Sequence, residues 1–79
     1  MATQATAEAH ARMVLAILND RSVRSGGCQM LEVIEKDFIE AGGGLSDCVD
    51  GIKYGVEKGW WNLSGVEVIL TDKGAAEIK

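Results

Sequence analysis

Glycine supplies all the strong punctuation in this chain: there are ten glycines and no proline. Glycine enters left-handed backbone conformations freely and weakens the interior of regular elements, so its clusters mark where elements stop. They fall at Gly26–Gly27, Gly42–Gly44, Gly59, Gly65 and Gly74. Three stretches long enough for helices come first, followed by short segments suited to strands. A chain of 79 residues supports one hydrophobic core, so residues 1–79 are read as a single domain, with 1–4 as a frayed lead-in.

The first helix is expected from about Ala5 to Asn19, in an alanine-rich stretch whose residues Met13–Leu18 are all apolar. So wide an apolar surface means more than one buried face. Either the helix runs beneath the fold and is covered on two sides, or the surplus face at Val14 and Leu18 is a homodimer contact. Asp20–Gly27, with Arg21 and Arg24, reads as a loop or short strand. A second helix is expected over Cys28–Ala41, with Met30, Ile34, Phe38 and Ala41 along one stripe and Glu32, Glu35, Lys36 and Glu40 opposite. Gly42 stops it as a left-handed cap.

Ser46 is read as the N-cap of a third helix that ends at Lys58 before Gly59, with Asp47 at the positive end of its dipole. Val49, Ile52 and Val56 are expected to face inward. Gly51 and Gly55 each cost about 1 kcal/mol relative to alanine, which for Gly55 points to close packing against a neighbouring helix. After Gly59 the period falls to two. Trp60–Leu63, a Ser64-Gly65 turn and Val66–Leu70 read as a β-hairpin with Val66, Val68 and Leu70 on one face. Trp60 and Trp61 then point to opposite sides: one enters the core, and the other either forms a contact surface with Leu63 or Ile69 or covers the core's edge. Thr71 caps a last short helix with Asp72 in its first turn. The fold class is α+β, mainly α.

Helix, loop, helix, glycine turn, helix and hairpin is the order of a winged helix. The segment Gly51–Ile78, GIKYGVEKGWW followed by VEVILTDKGAAEI, resembles the end of bacterial winged helix-turn-helix domains of transcription-regulator type. Its shared features are the Gly59-Trp60 step after the third helix and the Leu70-Thr71-Asp72-Lys73-Gly74 element that closes the second wing strand. The resemblance implies a DNA-binding or regulatory role, with Ser46–Lys58 in the recognition position and Leu63–Val66 as the wing.

Charge opposes the DNA-reading half of that implication. With Val49 and Val56 inside, the outward stripe of the third helix is Asp47, Asp50, Tyr54 and Glu57, flanked by Lys53 and Lys58. A reading helix presents Arg, Lys, Asn or Gln to base edges. A carboxylate about 6 Å from a phosphate costs roughly 0.7 kcal/mol even at the dielectric of water. The wing, Leu63-Ser64-Gly65-Val66, carries no cation. Twelve acids against eight Lys and Arg give a net charge of −4. The expectation is therefore a non-enzymatic winged-helix module for protein contact or regulation, with Asp47, Asp50, Lys53, Tyr54, Glu57, Trp61 and Leu63 on its interaction surface. The partner is a protein, favoured if basic, or a second copy; the alternative is a DNA-binding regulator using residues 46–58 and 63–66.

Other chemistry finds little footing. No catalytic, cofactor-binding or metal site is expected: Gly42-Gly43-Gly44 lacks the strand and Lys-Ser/Thr of a phosphate loop, and His10 with two cysteines falls short of a zinc site. Cys28 and Cys48 read as buried free thiols. The longest apolar run, Met13–Leu18, is far below a membrane span, and no secretory leader is evident, so a cytoplasmic protein is expected.

Overall fold

The computed structural model describes residues 4–78, with side chains from Thr6 onward. The expected lead-in falls outside the described residues as far as Thr3, and Gln4 is already helical. Helix α1 (Gln4–Asp20) is followed by strand β1 (Cys28–Met30), helices α2 (Leu31–Glu40) and α3 (Leu45–Lys58), strands β2 (Trp61–Ser64) and β3 (Glu67–Leu70), and helix α4 (Asp72–Glu77). The strands form one antiparallel sheet in the order β1-β3-β2. The layout is mainly helical and winged-helix-like.

Each of the three longer helices ends in the same double hydrogen bond. For α3, Gly59 N–H donates to Val56 O at 3.1 Å and Trp60 N–H to Gly55 O at 2.8 Å, with Gly59 left-handed at φ 76°. Gly42 and Gly43 close α2 on Ile39 O and Phe38 O, both at 3.0 Å. At α1 the left-handed residue is Ser22, φ 60°; its N–H donates to Asn19 O and the Val23 N–H donates to Leu18 O, both at 2.9 Å. The hairpin turns through Gly65-Val66, with positive φ at Gly65, the sign pattern of a type II′ turn.

Strand β1 corrects the expected start of the second helix. Cys28, Gln29 and Met30 pair with Ile69, Val68 and Glu67, while Gly26 N–H and Gly27 O extend the ladder to Leu70. Helix α2 therefore begins at Leu31, whose N–H donates to Val66 O at 2.7 Å and ties the helix start to the wing turn. Ile34 and Phe38 are buried as expected, but Met30 and Ala41 are exposed, outside the helix at either end. The third helix is capped two residues earlier than expected, by Gly44 with no side-chain bond, so Ser46 is not its N-cap.

The core holds Val14, Leu18, Ile34, Phe38, Cys48, Trp61, Val68 and Leu70, all essentially sealed from solvent. Val14 and Leu18 are thus interior residues rather than a dimer face, because α2 and α3 cover α1 on two sides. The deepest helix contact is α1 on α3. A Cβ on Gly51 would lie 2.7 Å from His10 C and 2.9 Å from Ala11 N, so the α1 backbone rests directly on the glycine. One turn later Gly55 lies against the Trp61 ring, so its close partner is a strand residue and not a helix.

The Leu70–Gly74 element joins the end of β3 to the residues that follow α3. Leu70 is in the core. The Thr71 hydroxyl contacts Trp60 O at 2.9 Å and Gly59 O at 2.5 Å and accepts the Gly74 N–H at 3.2 Å, capping α4. Gly74 sits so close to Trp60 O that no side chain fits there.

Two outcomes follow for stability, both read by denaturant titration. Phe38→Ala removes a sealed ring and is expected to cost about 3–5 kcal/mol. Gly51→Ala, which helix propensity alone would favour by about 1 kcal/mol, is expected instead to destabilise by about 1–3 kcal/mol because the α1 backbone must move away.

Candidate functional site

With Gly51, Gly55 and Cys48 turned toward α1 and Trp61, helix α3 is rotated by about a quarter turn from the expected setting. Val49 and Val56 face outward, 41% and 39% exposed, and Ile52 alone of the expected inward trio is buried. The outward stripe is Leu45, Val49, Lys53 and Val56, at steps of four, four and three. It is mostly apolar, with exposed Ser46 and Glu57 beside Lys53; of the expected outward stripe Tyr54 is turned inside, Asp47 and Asp50 are half-buried and Glu57 stays exposed.

The residues of that stripe are dispersed. Tyr54 is buried, 9% exposed, because it lies on the α1 side of the helix; its hydroxyl donates to Glu8 Oε1 at 3.2 Å, and burial followed by that carboxylate pushes the phenol pKa up. Asp47 is half-buried, with Oδ2 3.9 Å from His10 Nε2. Asp50 is half-buried, while Lys53 and Glu57 are exposed.

Trp61, expected on the interaction surface, is completely buried, and its Nε1–H donates to Ile52 O at 3.0 Å. Trp60 is buried too. It precedes the strand, at the bend after α3, so alternation does not govern it; its ring meets Tyr54 and Trp61 edge-on, and Arg12 lies 5.1 Å above it. Neither Trp is left for a contact surface. Leu63 is exposed as expected, at 47%, and Val66 protrudes from the wing turn instead of joining Val68 and Leu70 inside.

A cleft of about 170 Å³ lies between α2, α3 and β2. Leu31 and Glu35 line its α2 wall, Val49 and Lys53 its α3 wall, Cys48 and Ile52 its floor, and Leu63 closes the wing end. Leu31, Leu45, Val49 and Val56 lie outside the interaction surface expected from the sequence, and Glu35 is expected only on the outer face of the second helix. The discoverable signal was the i, i+4, i+11 spacing of Leu45, Val49 and Val56, which equally fits a core stripe.

Two of the three arginines are held in ion pairs elsewhere. Arg12 pairs with Glu8 at 3.1 Å and Glu77 at 3.0 Å, and Arg21 holds Asp37 through two bonds of 2.5 and 2.9 Å. Arg21 keeps the Asp37 carboxyl below its usual pKa. Among the described residues no group of His, Cys, Asp and Glu is arranged to hold a metal ion, and no helix is long and apolar enough to cross a membrane. No family model, curated protein or solved structure matches the chain.

The cysteines separate. Cys28 is exposed on the edge strand, correcting the expectation of burial, and its Sγ–H donates to Glu67 Oε2 at 3.2 Å, which raises its pKa. Cys48 is buried, its thiol pushed up to about 11 by burial and then by the Glu35 carboxylate. Alkylation of the native protein at neutral pH is therefore expected to label Cys28 first, with Cys48 reacting only on unfolding. Peptide mapping checks this, and equal labelling rates would contradict the sealed cleft floor.

Proposed function

We propose that this chain is a non-enzymatic winged-helix module whose α3–wing face binds protein, in a regulatory or adaptor role, and does not read DNA bases. The carrying observation is the apolar stripe Leu45, Val49 and Val56 in the recognition position, continued by Leu63 and Val66 on the wing. Contiguous exposed apolar surface of this kind marks an interaction site. Covering the exposed part of each such side chain contributes about 1 kcal/mol. The stripe offers no Arg, Asn or Gln to base edges, and the Gly65-Val66 turn offers no cation to phosphates.

The resemblance of Gly51–Ile78 to winged helix-turn-helix domains supports this architecture and also favours a second reading. Lys53 stands in the middle of the outward stripe, where a DNA-reading helix would meet a groove. One lysine neutralises one phosphate, too little for tight association, whereas Asp50 and Glu57, one turn to either side, lie beside it.

Fluorescence titration of labelled duplex DNA at low salt decides between them. No saturable binding is expected up to roughly 100 µM, at the weak end of non-specific DNA association. Saturation near micromolar protein that disappears in Lys53→Glu would establish the DNA reading instead.

A further inference from the structure

We infer that the occupant of the α3–wing face is a second copy of this chain, docked about a two-fold axis running along the α2–α3 cleft. This rests on the protein-contact reading of that face and names its partner. The two walls of the cleft carry opposite charges, Glu35 on α2 and Lys53 on α3, with apolar side chains between them. Among the described residues neither has an ion-pair partner, although Arg12 and Arg21 are both paired.

A half-turn about an axis along the cleft exchanges its walls. Glu35 of one copy then faces Lys53 of the other, and Lys53 faces the other's Glu35, so one operation creates two equivalent ion pairs. Val49 and Leu63 meet the apolar surface of the opposite copy between them. A two-fold contact requires a self-complementary patch, and opposite unpaired charges on facing walls around an apolar centre satisfy that requirement. Walls of like charge would repel under the same rotation.

A standard contact takes about 800 Å² per partner, roughly a sixth of this molecule's 4733 Å². The cleft is flanked on α3 by exposed Leu45 and Val56, and its wing end by exposed Val66. The net charge of −4 on each copy opposes approach, which places the dimer at the weak end of specific contacts.

Sedimentation equilibrium of the full chain tests this, with circular-dichroism melting to confirm that each variant is folded. The native chain is expected to dimerise at tens of micromolar. Glu35→Lys alone and Lys53→Glu alone, which place like charges together, should each weaken dimerisation about tenfold or more. The double variant, which rebuilds both pairs with signs reversed, should return to within about threefold of native. Val49→Asp should abolish the dimer. A native chain that stays monomeric at several hundred micromolar overturns the inference, as does a dimer indifferent to the single reversals or not restored by the double one. A monomer that also ignores DNA would leave the protein-contact reading standing without a self-partner, whereas DNA binding lost in Lys53→Glu would remove that reading itself.

Discussion

The close approach of α1 to α3 at Gly51 sets everything that follows it. A glycine there lets one helix backbone rest on another, and Gly55 one turn later leaves room for the Trp61 indole. Those two contacts fix the rotation of α3 about its own axis. Cys48 and Tyr54 turn inward as a consequence, and Val49, Lys53 and Val56 turn outward. The chemistry of the exposed face is thus determined by the smallest residues of the helix.

Secondary contacts then lock that rotation. Trp61 Nε1–H is anchored on the Ile52 carbonyl, Trp60 is enclosed by Tyr54, Arg12 and Gly74, and Thr71 bonds the end of β3 to the residues that terminate α3. In a domain this small the interior offers little redundancy, since total stability is about 0.05–0.15 kcal/mol per residue. One aromatic ring or one helix crossing is a large part of the whole.

The sequence made the stops and the type of each long element legible. Gly42 and Gly59 end helices in left-handed conformation, Ile34 and Phe38 face the core, the hairpin follows Gly59, and Thr71 caps the last helix. The setting of α3 was not legible because a hydrophobic stripe is weighted by large side chains, while the packing here selects small ones. Strand β1 was hidden for a different reason. Its three residues show no alternation of their own and gain their conformation from a partner strand near the other end of the chain. Ser22 escaped notice as a helix stop because it occupies a left-handed position ordinarily given to glycine. Of the residues expected on the interaction surface, Lys53, Glu57 and Leu63 are exposed, and Tyr54 and Trp61 were displaced by the rotation and by the Trp61 anchor.

Strand β3 lies between β1 and β2, and the first amide of α2 is bonded to the Val66 carbonyl at the hairpin's tip. The wing is therefore fastened at both its base and its end to the segment that opens α2. Such bracing holds the cleft walls and the wing at fixed spacing before any encounter. Little conformational freedom remains to be surrendered when a partner arrives, so a modest contact area suffices where a floppy hairpin would demand a larger one.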